Sequence, residues 1–151
     1  MAKTGAYFFI ALLMVVLSSG IVYGGSVPVP NDFKIIPPDS SLPKELAVFS
    51  GKWKGVWHNL SDSSGSLDAV LIVEKIEDKN AVVVYCWGDS SEWRVKKGWR
   101  RYTADINKKG GKDTLSFGSE SGVKFEFSLM GEKLSGTDNR WRNTITMKRV
   151  Q

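Results

Sequence analysis

Histidine and cysteine are almost absent: His58 and Cys86 stand alone among 151 residues. A single histidine leaves no histidine cluster for zinc or copper, and gives a Cys–His nucleophile pair nothing to choose from. A single cysteine excludes an intramolecular disulfide. Cys86 sits inside the apolar run Ala81-Val82-Val83-Val84-Tyr85-Cys86-Trp87, so it reads as a small buried hydrophobe rather than a reactive thiol. All five prolines fall within Gly25–Pro43. Acid density is also missing, because Asp62-Ser63-Ser64-Gly65 is too poor in carboxylates for a calcium loop. Neither a metal nor another cofactor is expected. Beyond Phe49 no segment has a convincing helical period.

Positive charge is in modest excess, 21 lysines and arginines against 16 acids. The dense patches are Lys96-Lys97 with Arg100-Arg101, and Arg140 and Arg142 with Lys148-Arg149. Basic residues interleaved with tryptophan are one way to hold single-stranded nucleic acid. The N-terminus points elsewhere. Lys3 precedes an apolar run from Phe8 to Leu17, which ends in Ser18-Ser19-Gly20; Ile21-Val22-Tyr23 and Gly24-Gly25-Ser26 follow. This order is that of a secretory signal peptide spanning residues 1–24. The rival reading is a retained anchor, since Phe8–Gly25 is about 18 residues, the lower limit for crossing a bilayer. A membrane partner is expected only in that second case. Either way the folded part is expected to be secreted or periplasmic. Its basic patches then read as a solvated face or a contact for acidic envelope polymers, and no nucleic-acid partner is expected.

Residues 25–45 read as a Pro/Ser-rich arm or linker, with Phe33-Lys34-Ile35-Ile36 able to pack on the domain or add an edge strand. Ser41–Phe49 suits one helical turn, with Pro43 near its start and Glu45 in its first turn. Residues 46–151 read as an all-β domain of eight strands: Gly51–Asn59, Leu67–Glu77, Ala81–Trp87, Trp99–Asn107, Thr114–Phe117, Val123–Met130, Lys133–Asp138 and Trp141–Val150. In the first, Trp53, Gly55 and Trp57 share one face and Lys52 and Lys54 the other. Ala81–Trp87 is apolar on both faces, as a well-covered central strand would be. Val123, Phe125, Phe127 and Leu129 alternate with polar neighbours and face inward. Connections this short force antiparallel pairing. The expected architecture is an eight-stranded antiparallel up-and-down barrel, which has no free edge and an interior just wide enough for packed side chains or one small ligand.

Gly51-Lys52-Trp53 on the first strand, after a short helix, resembles the G-x-W signature of lipocalins and wider calycin-like barrels. The wider pattern Phe49-x-Gly51-x-Trp53-x-Gly55-x-Trp57, with Tyr85-Cys86-Trp87-Gly88-Asp89 and Leu134-Ser135-Gly136, looks like that of small exported bacterial domains. The resemblance spans roughly Leu46 to Val150. It implies binding rather than catalysis, and it implies that Trp53 closes one end of the barrel under a cation from late in the chain. Arg142 and Arg149 are both candidates for that cation.

Six tryptophans are the most unusual feature. Trp53, Trp87 and Trp141 read as core, each needing an acceptor for its N–H. Trp93 and Trp99 flank a polar loop and are expected to be exposed and to contact ligand. Tyr85 and Arg101 would supply polar groups to a mostly apolar pocket; Trp57, Trp87, Phe125 and Phe127 complete the expected ligand-contacting set. Asp89, Glu92 and Asp105 are close enough in sequence to suggest a glycosidase pair, but nothing fixes their spacing. No catalytic residue is assigned, and the expected function is to hold a small apolar or amphipathic ligand inside the barrel. The alternative is a solid barrel that binds envelope polysaccharide or a partner protein through its Trp/Arg-rich surface.

Overall fold

A computed structural model describes residues 26–61, 65–119 and 122–151; the segment read as a signal peptide lies outside them. A single helical turn, α1 (Lys44–Ala47), precedes eight strands: β1 (Gly51–Asn59), β2 (Ser66–Ile76), β3 (Asn80–Trp87), β4 (Gly98–Lys109), β5 (Lys112–Gly118), β6 (Lys124–Met130), β7 (Lys133–Asp138) and β8 (Asn143–Val150). Every strand pairs antiparallel with its sequence neighbours, and β8 pairs back onto β1 to close the barrel. The expected strand count and topology hold. At the β4–β5 hairpin Gly110 and Gly111 have φ of 57° and 78°, as a two-residue turn that matches strand twist requires.

Side-chain alternation sorts the interior. Trp53 and Trp57 from β1, Leu71 and Val73 from β2, Val83 and Tyr85 from β3, Phe127 from β6, and Ile145 and Met147 from β8 form one buried core. In β4 the inward residues are Tyr102, Ala104 and Ile106, so Trp99 and Arg101 face outward. The β1–β8 seam is tight at Gly55, where an added Cβ would lie 2.5 Å from the Thr146 carbonyl oxygen. Glycine lets the two strands approach there.

One end is sealed by α1 and Trp53. The Trp53 indole N–H donates to the Phe49 carbonyl at 2.9 Å, and the Arg149 guanidinium lies 4.3 Å above the ring. The same guanidinium donates to the Ser50 and Val48 carbonyls, and a side chain at Gly51 would collide with it. Arg149 is therefore the cation over Trp53. Arg142 is not: it sits exposed in the β7–β8 turn with φ of 58°. That left-handed residue also breaks the strand alternation, which corrects the expectation for Trp141. Parity counted back from Ile145 predicts a core position, whereas Trp141 is 52% exposed.

The arm docks on the outside. Val27, Val29 and Phe33 cover Val70, Ile72, Val84 and Cys86 on the outer face of β2 and β3, which explains why those strands are apolar on both faces. A bulge at Glu74 interrupts the β2–β3 register. There the Glu74 carboxylate accepts from the Lys34 N–H at 3.1 Å and the Arg101 Nε at 2.8 Å, while its carbonyl accepts the Ile36 N–H at 2.7 Å. Arg101 also reaches Asp32 on the arm at 3.4 Å.

Cys86, beneath this arm, is a reporter of its docking. Burial pushes the thiol up to about 11. Because the protonated thiol is the neutral form, its contribution to stability is present below the ordinary thiol range and is lost as pH rises from 9 toward 11. Cys86 in the native chain is expected to resist aromatic disulfide reagents at pH 8. Arg101→Met, which removes one side of the clamp, is expected to speed labelling without unfolding the barrel. Labelling of the native chain at the rate of the denatured chain would refute the docking.

Candidate functional site

The end opposite α1 is open and holds a cavity of about 490 Å³, within the usual range for small-molecule sites of roughly 300–1,000 Å³. Strand geometry brings its wall together. Trp57 and Asn59 point inward near the end of β1, Leu67 at the start of β2, Tyr85 and Trp87 at the end of β3, Tyr102 on β4, Phe125 on β6 and Asp138 on β7. Trp93 and Val95 from the β3–β4 loop, Ser119 after β5, Val123 before β6, Trp141 in the β7–β8 turn and Asn143 at the start of β8 complete the rim.

Trp57 and Tyr85 form the floor. The Trp57 N–H donates to the Tyr85 hydroxyl at 2.7 Å, which leaves the phenol hydrogen available to an acceptor. Burial raises the Tyr85 phenol well above its ordinary value, outweighing the Trp57 N–H that favours tyrosinate, so the group is a donor across the physiological range. The rings interlock: Tyr85 lies 5.0 Å from Phe125 and stacks 5.8 Å from Trp87, and Trp57 lies 5.7 Å from Phe125. The Trp87 N–H donates to the Lys96 carbonyl at 2.7 Å, tying the β3–β4 loop to the wall.

Polar groups are few. Asn59 donates to the Asn143 side-chain oxygen at 2.9 Å and to the Trp141 carbonyl at 3.2 Å. Asp138 pairs with Phe125 across the β6–β7 ladder and so shares its inward face. One carboxylate oxygen of Asp138 accepts the backbone N–H groups of Arg140 and Trp141, at 2.9 and 2.6 Å.

Of the residues expected to contact ligand, Trp57, Tyr85, Trp87, Trp93 and Phe125 line this cavity. Three do not. Phe127 is fully buried in the core and does not line the cavity; Trp99 faces outward and is 43% exposed; Arg101 is committed to Glu74 and Asp32 on the outer face. Thr103 and Asp105, polar and of the same parity, were the signal that this β4 face points to water. Asn59, Asp138 and Asn143 were not singled out from sequence, because polar residues at strand ends look like ordinary turn residues. The carboxylates weighed for hydrolysis lie outside the cavity. Asp89 accepts the Lys97 N–H at 3.0 Å, Glu92 is exposed in the same loop, and Asp105 faces out from β4. Among the described residues no group of three or more metal-ligating side chains converges.

No family model and no curated protein matches the chain. Among solved structures the chain is similar to a de novo designed fluorescence-activating β-barrel, with 11% identity and a TM-score of 0.50 over 72% of this chain and 100% of that one. At that identity the likeness shows a shared fold: this chain is an eight-stranded antiparallel β-barrel.

Proposed function

We propose that this chain is a binding protein rather than an enzyme. It holds one small apolar or amphipathic molecule in the open end of its barrel, in the manner of lipocalins, and works outside the cytoplasm. The observation that carries the reading is the cavity of about 490 Å³, walled by aromatic rings and supplied with a few polar groups. A preformed apolar pocket with a few fixed polar groups is the arrangement that orients a small ligand. The designed barrel to which the chain is similar is fluorescence-activating, which is compatible with this use of the fold.

The test is a titration of the full-length chain with the neutral fluorescent hydrophobe N-phenyl-1-naphthylamine. A saturable, one-to-one rise in emission is expected. Val123→Phe, which adds a ring to a wall residue, is expected to weaken binding at least about tenfold, the equivalent of ~1.4 kcal/mol. Absence of binding, or equal binding by the variant, would overturn the reading. A response to soluble cell-wall glycans alone would move the site to the outer surface around Trp99.

A further inference from the structure

The character of the cavity wall narrows the ligand class. We infer that the molecule held there is a planar organic cation, seated among the rings with its charge toward Asp138; this rests on the cavity being a ligand site. Seven of the lining side chains are aromatic, and among the described residues that line the cavity there is one carboxylate and no lysine, arginine or histidine. The absence of cations is unusual in a chain with a net charge of +5. Of the basic side chains near the mouth, Arg94, Lys96 and Arg142 are exposed, Arg140 lies 5.0 Å from the Trp141 ring at the rim, and Arg100, half-buried opposite Tyr85 in the β3–β4 ladder, does not line the cavity. A fatty acid or other anion entering the barrel would lose its hydration and meet a wall whose one charged lining side chain is Asp138.

A cation meets the opposite situation. The faces of tryptophan, tyrosine and phenylalanine carry negative potential, and a cation over them is attracted more strongly as water is excluded. Arg140 over Trp141 shows the same contact made by the protein's own guanidinium. Asp138 is 8% exposed and held by two backbone N–H groups on one oxygen, so its side chain is fixed at the wall rather than free to swing into solvent. Asn59, Tyr85, Ser119 and Asn143 supply the other polar groups of the wall. Planarity suits such a wall, since seven of its side chains are aromatic rings on which a flat ligand can stack.

Three ligands of one shape isolate the charge: N-methylacridinium, acridine and acridine-9-carboxylate, titrated at pH 8 where acridine is neutral. With the full-length chain, the cation is expected to bind about tenfold or more tightly than neutral acridine, and the carboxylate more weakly than either. Asp138→Asn keeps an oxygen for the two backbone N–H groups and is expected to bring the cation-to-neutral ratio toward one. Asn143→Asp, which keeps the oxygen that Asn59 binds, is expected to raise that ratio, and it provides the test if the first variant does not fold. Tighter binding of the carboxylate, or a ratio unchanged in both variants, would overturn the inference. Acridine binding without preference for the cation refutes the inference and leaves the cavity reading standing; failure of all three, together with N-phenyl-1-naphthylamine, removes both.

Discussion

Trp53→Ala is expected to cost about 3–5 kcal/mol of folding stability, the usual penalty for deleting a large aromatic side chain from a packed core. Trp53 is 1% exposed, donates its N–H to Phe49 and lies under the Arg149 guanidinium. Its removal opens a void at the sealed end and strips Arg149 of its ring. Trp53→Phe retains a ring but loses the indole N–H bond, and is expected to cost about 1–2 kcal/mol. Arg149→Met removes the cation and its two carbonyl contacts at a similar cost of about 1–2 kcal/mol. In the double variant the two costs should fall short of additivity, because the cation–ring contact is counted in each. Urea unfolding followed by circular dichroism measures all four. A loss below about 1 kcal/mol for Trp53→Ala would mean that the end of the barrel is not sealed as described.

Gly136→Val is expected to be nearly as damaging by the opposite mechanism. An added Cβ at Gly136 would lie 2.4 Å from the Phe127 ring and 2.7 Å from Ile145. Neither neighbour has room to yield. Phe127 is 0% exposed and stacked on Phe117 with 9° between the planes, and Ile145 is 2% exposed. Overpacking of a core typically costs about 1–3 kcal/mol, and Gly136→Ala is expected within that range; the branched side chain should exceed it. Because the constraint is space rather than backbone conformation, Phe127→Leu should recover part of the loss. A double-mutant cycle that shows no coupling between the two positions would refute the packing explanation.

The barrel was legible because its strands alternate and its turns are short. Val123–Met130 reads directly as one face in and one face out, and the two glycines at 110 and 111 mark a hairpin before any pairing is known. The two-faced apolar strands were legible as covered strands, but what covers them was not. A second protein layer and a docked arm produce the same pattern, and only Val27, Val29 and Phe33 in place distinguish them. The site was less legible for two physical reasons. Trp99 and Arg101 look like binding residues by chemistry, yet the β4 register turns them to the outer face. Trp141 looks like core by parity, yet Arg142 in the left-handed region resets the count between the turn and β8. Asp138 carries no sequence signal at all; its importance comes from being the one acid on an aromatic wall.

The seam between β1 and β8 has a consequence for how the chain acquires its structure. Arg149 reaches a carbonyl 99 positions earlier in the sequence, and β1 has no partner on that side until the final strand exists. Contacts of such long separation carry a large loop-closure cost and belong to the late steps of folding. Seven strands can zip hairpin by hairpin while the edges of β1 and β7 stay open to other chains. Addition of β8 therefore converts an adhesive open sheet into a closed barrel, and a chain cut short before β8 would be expected to aggregate rather than to fold less stably.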